Sequence, residues 1–148
     1  MVFKLVATVL MSASLIVHEP TLFQVFDVKQ GKVVQQRPLT SELEKSILSL
    51  LDNSPTLYGG LAMNPESGIV LHIVWDEPIQ LASALYPEPI KEIYLFLEPG
   101  TQPKALIFLK DKAKYRVVVL QGNSDQFMWQ NKLYFLHRTS VFLNRKIM

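Results

Sequence analysis

Three histidines, His18, His72 and His137, are the side chains best suited to acid–base or metal chemistry near neutral pH. His18 sits beside Glu19 at the exit of the apolar run, and His72 is followed by two carboxylates, Asp76 and Glu77. Four residues of strand span roughly 13 Å at about 3.3 Å each, so His72 and Asp76 cannot hold one metal ion without a sharp bend. Asp76 and Glu77 are adjacent and point to opposite faces of an extended chain, which keeps them from sharing a proton. Glu88, Glu92 and Glu98 can join them only through tertiary folding. No serine lies in a G-x-S-x-G elbow, and no glycine-rich phosphate loop is present. The absence of cysteine removes disulfides, thiolate ligands and a cysteine nucleophile together. The pattern asks for no cofactor and no metal. An enzyme remains open only as a hydrolytic or metal-dependent one whose residues, His72, Asp76 and Glu77 first among them, converge in the fold.

The second kind of chemistry is recognition. Trp75 and Tyr86 lie at either end of a segment broken by Pro78, with Pro87 and Pro89 just beyond it. Aromatic side chains on irregular segments between strands are common binding elements. They are the candidate binding residues, and a place in the core is the competing reading for Trp75.

The elements that must position these residues follow from periodicity. Phe23 and Val25 alternate with Leu22, Gln24, Phe26 and Val28, and Lys29-Gln30-Gly31-Lys32 turns the chain into Val33 to Gln36, which predicts a hairpin. Ser41 and Glu44 have capping-box spacing, and Leu43, Ile47, Leu50 and Leu51 fall on one helical face, so a helix runs to Asn53-Ser54-Pro55. A second hairpin is expected from Leu57 to Met63 and Ile69 to Trp75, with Ile69, Leu71, Ile73 and Trp75 sharing a face and the return strand covered on both sides. Ile79 to Leu85 can form a turn or two of helix. Glu92 to Leu97, Ala105 to Leu109 and Tyr115 to Leu120, joined by short turns, read as an antiparallel meander with Tyr115, Val117 and Val119 inward. For residues 124–137 two forms stay open: a helix capped by Ser124 that aligns Trp129, Leu133 and Leu136, or a hairpin turning at Asn131-Lys132. A short strand is expected at Val141-Phe142-Leu143. The fold class is α+β, an antiparallel sheet of hairpins and a meander packed with one or two helices.

Leu5 to Val17 carries no charge, with Lys4 before it and His18-Glu19-Pro20 after it. A positive start, a short apolar run and a polar exit are the parts of an export signal. The run falls short of the about 20 residues a membrane-spanning helix needs. Residues 1–19 are therefore expected to be an export signal or N-terminal hydrophobic segment, and residues 20–148 a single α+β domain. The alternatives are a buried element of the domain, which would leave the protein cytoplasmic, and an anchor.

The run Phe23-Gln24-Val25-Phe26-Asp27-Val28 through Gly31-Lys32-Val33, the helix from Ser41, the strand Gly68 to Val74, and Pro103-Lys104-Ala105-Leu106-Ile107-Phe108 before Tyr115-Arg116-Val117 are similar to small exported proteins of Gram-positive bacteria. The resemblance implies an extracytoplasmic location and carries no catalytic residue onto this chain. Many such proteins bear a lipid-modified cysteine after the signal, and this chain departs from that pattern.

With 148 residues, 49% hydrophobic and 19% charged, the chain has the composition of a folded domain. A net charge of +2 offers little field to steer a polyanion, and Arg138, Arg145 and Lys146 are too few for a nucleic-acid surface. The expected function is that of an exported, non-enzymatic domain with a binding or structural role at the cell envelope. Its partner would be a protein or another envelope component, with transient membrane contact through the N-terminal segment.

Overall fold

The computed structural model describes residues 19–60 and 62–133. All but the last residue of the segment 1–19 expected as an export signal, with His18, Leu136, His137 and the strand expected at Val141 to Leu143, lie outside the described residues.

Alternation forms the first hairpin as expected. β1 (Leu22–Asp27) turns Phe23 and Val25 inward, and β2 (Lys32–Pro38) returns beside it. Asp27 builds the turn: its carboxylate accepts the Gln30 N–H at 2.9 Å, its carbonyl accepts the Gly31 N–H at 2.9 Å, and Gly31 takes φ 66°. Opposite Val25 and Phe26, the register skips Val34, a bulge that packs this extra valine against the core.

α1 (Ser41–Asp52) buries Leu43, Ile47 and Leu51 on the sheet. Its cap is Thr40, one residue ahead of the expected Ser41: the Thr40 hydroxyl accepts the Leu43 N–H at 3.2 Å. The helix C-terminus is tied down by the segment between the later strands. The Tyr86 hydroxyl donates to the Leu51 carbonyl at 2.7 Å, and the Asp52 carboxylate accepts the Ser83 N–H at 2.8 Å. Leu51 belongs to the last turn, whose carbonyls have no intrahelical donor, so Tyr86 supplies one.

The remaining strands are β3 (Thr56–Leu57), β4 (Ile69–Ile79), β5 (Ile90–Leu97), β6 (Lys104–Leu109) and β7 (Tyr115–Val119); α2 (Ser124–Gln130) follows. They complete one antiparallel sheet in the order β2-β1-β4-β5-β6-β7-β3. The fold is thus α+β, and the meander β5-β6-β7 is present. Both helices bury residues in one core with the inward rows of the strands, Leu71, Ile93 and Ile107 among them.

Several expectations change. The stretch from Leu57 does not form a hairpin with β4; Thr56 and Leu57 pair with Val119 and Val118 at the far edge, and the Tyr58 N–H donates to the Val117 carbonyl at 2.8 Å. β4 instead inserts between β1 and β5, where it buries Ile69, Leu71, Ile73 and Trp75 as the period of two requires. Its other face is not covered throughout: Val74 is exposed. The stretch from Gln80 to Pro89 holds turns and no helix, and Pro87 and Pro89 disfavour helical backbone in the residues before them. α2 settles the helix-or-hairpin alternative for its residues. Asn123, not Ser124, is its cap, accepting the Gln126 N–H at 3.1 Å. Phe127, Met128 and Leu133 are buried, whereas Trp129 is 67% exposed. In β7 the buried residue is Val118, while Tyr115 is 57% exposed and shares its face with Val117 and Val119.

Candidate functional site

Since both helices join the core on one side, the sheet has a second face, reached by the alternate residues of every strand. In the described residues no helix lies over it. Three cross-strand rows follow from the register. Phe26, Val70, Phe96, Lys104 and Val119 form one; Gln24, His72, Tyr94, Leu106 and Val117 the next; Val74, Glu92, Phe108 and Tyr115 the third. Val70 is buried, Val74 and Tyr115 are exposed, and the others are half-buried. Ring contacts run along this face. His72 stacks on Tyr94 with centroids 4.2 Å apart and planes 6° from parallel, Tyr94 meets Phe108 edge-on at 6.3 Å, and Phe108 meets Tyr115 at 6.3 Å.

His72 is the centre of the only acid–base grouping among these rows. Its Nδ1 lies 3.4 Å from Gln24 Oε1, and its Nε2 lies 3.4 Å from Glu92 Oε2 without forming a hydrogen bond. A charge-assisted bond would be about 2.7–2.9 Å. The contact with Glu92 is therefore electrostatic proximity and not an oriented dyad. Burial, and after it the Glu92 carboxylate, raises the Tyr94 hydroxyl above the ordinary tyrosine value, so Tyr94 stays neutral. The stacked rings and the carboxylate beside them make a ridge on this face.

The other residues singled out by type are dispersed. Asp76 and Glu77 are exposed where β4 parts from β5, and there the Lys91 ammonium donates to the carbonyls of Trp75 and Asp76. Glu88 pairs with Lys114 at 3.1 Å. Glu98 accepts the Glu66 N–H at 3.3 Å. Glu92, and neither Asp76 nor Glu77, is the carboxylate that the structure brings to His72. Sequence spacing gave no sign of this pairing, since it depends on the β4–β5 register that sets His72 against Tyr94. Among the described residues no three histidine, aspartate or glutamate side chains could hold a metal ion.

The candidate binding residues are both in the core. Trp75 is 4% exposed and Tyr86 1%. Tyr86 spends its hydroxyl on Leu51, and among the described residues the buried Trp75 indole N–H has no hydrogen-bond partner. A shallow hollow of about 520 Å³ passes Trp75, Glu44, Asp76 and Glu77. Smaller hollows lie beside Tyr58, Phe96 and Lys104, about 160 Å³, and between β2 and α1 beside Arg37, Leu43 and Leu133, about 440 Å³. His72 lines none of these three. What sequence reasoning missed is the open face itself; the signal was present in the apolar residues on both parities of β4 and β7.

The chain matches no family model, no curated protein and no solved structure.

Proposed function

We propose that this protein is an exported, non-enzymatic domain with a binding or structural role at the cell envelope, and that it works through the open face of its sheet. The observation that carries the reading is the continuity of that face: the half-buried Tyr94, Phe96, Leu106, Phe108 and Val117 form an apolar and aromatic surface with no helix over it in the described residues. A contiguous apolar face of this kind is a mark of an interaction surface. Export rests on Lys4, the uncharged run Leu5 to Val17 and the exit at Pro20. No helix among the described residues is long and apolar enough to cross a membrane.

The test is fractionation of bacteria expressing the full chain, with sequencing of the mature N-terminus. The parent is expected in the envelope or medium, and Leu106→Asp is expected to be folded and lost from the envelope fraction. Full-length parent confined to the cytosol would overturn export. Equal retention of folded Leu106→Asp would overturn the role of the face.

A further inference from the structure

Resting on the proposed role of the open face, we infer that its occupant is a second copy of this chain, related by a two-fold axis. The argument is charge complementarity. Over the paired stretch of the five central strands this face carries two formal charges, Glu92 on β5 and Lys104 on β6. They lie at opposite ends of adjacent strands, because Glu92 is opposite Phe108 while Lys104 is opposite Phe96. Between them sits the directly paired Tyr94 and Leu106. The face is thus neutral in sum and oppositely charged at its two ends. It offers no attraction to an anionic membrane or a polyanion, but it is complementary to itself, as an isologous interface requires.

The geometry of such a pair follows from the register. With strands about 4.8 Å apart and residues about 3.3 Å along them, Glu92 and Lys104 are separated by roughly 14 Å on a diagonal of the sheet. An axis lying between two face-to-face sheets, passing over the Tyr94–Leu106 pair at right angles to that diagonal, sets each Glu92 against the other copy's Lys104. The strands of the two copies then cross at roughly 40°, close to the roughly 30° at which aligned sheets pack. The hand agrees as well. The Leu109 N–H donates to the Lys114 carbonyl, so inward residues of β6 hydrogen-bond toward β7 and outward ones toward β5. Viewed from the open side with β6 running up, β5 therefore lies to its right. The crossing that results is in the negative sense, the sense that packed sheets adopt. Phe96 and Phe108 flank the axis and supply apolar contact; Lys104, which rests 5.0 Å from the Tyr58 ring centroid, is free of any ion pair among the described residues.

Charge reversal in the purified full chain tests this by sedimentation velocity over a range of concentrations. The parent is expected to dimerise. Lys104→Glu and Glu92→Lys each place like charges opposite one another, and each is expected to weaken the dimer at least tenfold. The double variant restores opposite charges and is expected to recover most of the loss, which a merely damaged fold would not do. Because Glu92→Lys also removes the contact with His72, the Lys104→Glu variant and Leu106→Asp are read beside it, with thermal unfolding as the check on folding. A parent that stays monomeric at all concentrations overturns the inference, and if its envelope retention still depends on Leu106, the binding role stands with a different occupant. A dimer indifferent to all of these variants also overturns it, assigning the contact to another surface.

Discussion

Replacing Val118 by aspartate should unfold the protein, while the same change at its neighbour Val117 should leave it folded. Val118 is fully buried, facing Ala105 across the β6–β7 ladder and Leu57 across the β3–β7 ladder. Burial of a valine side chain contributes roughly 1.5 kcal/mol or more, which the substitution forfeits. An unpaired carboxylate in that place adds a desolvation penalty of several kcal/mol, or is held protonated at similar expense. The total is comparable to the about 5–15 kcal/mol that holds a domain together. Val117 is opposite Leu106 on the open face and only half-buried, so a carboxylate there can reach water; a loss of about 1–2 kcal/mol is expected, within the ordinary range of substitutions. Urea unfolding followed by circular dichroism measures both, with the full chain kept below the concentration at which it associates. If Val117→Asp is the more damaging of the two, the covered face of the sheet has been misidentified, and with it the open face on which the functional reading depends.

Gly68 takes φ 85°, and a Cβ there would collide with the Leu97 carbonyl oxygen. Gly68→Ala should therefore lose about 1–3 kcal/mol from the backbone alone and more from the clash, whereas Gly59→Ala, which meets open space, should change the denaturation midpoint little. Thr40→Ala should cost about 1 kcal/mol and Ser41→Ala less than half of that, a comparison by chemical denaturation that locates the helix cap. Tyr86→Phe should cost about 1–2 kcal/mol through the lost bond to the Leu51 carbonyl. Burial, and after it Asp52, pushes the Tyr86 hydroxyl well above the ordinary tyrosine value of 10.0. The unfolded chain releases that proton near pH 10 while the folded chain keeps it, so the stability of the parent should fall as pH rises beyond about 10. Tyr86→Phe should show a shallower fall in alkaline unfolding curves, and an identical slope in the two proteins would refute the assignment.

Local structure was legible wherever one period dominated. Phe23 and Val25 against Gln24, and Leu43 with Ile47 and Leu51, each specify an element and its inward side, because a period of two or of 3.6 sorts side chains before any partner is present, and the two short turns of the meander mark its strands but not the inward side of β7. The helix caps were misplaced by one residue because Thr40-Ser41 and Asn123-Ser124 each offer two adjacent side chains able to cap, and only backbone conformation chooses between them. Where both parities are apolar, sequence leaves the choice to the fold. In Val117-Val118-Val119 either face could have been the buried one, and the helices decided it by packing on the side of Val118. The same decision put Trp75 inside and left Tyr94, Phe96 and Phe108 facing outward. Chain order could not place β3 beside β7 or β4 between β1 and β5, since strand pairing is set by which edges the whole sheet leaves available. The meeting of His72 with Glu92 follows from that pairing. The sequence determined by itself the first hairpin, the first helix and the strands of the meander, with the absence of thiol chemistry and the N-terminal apolar run; the tertiary structure decided the remaining elements and which faces are covered, because burial is a property of two packed surfaces and not of one strand.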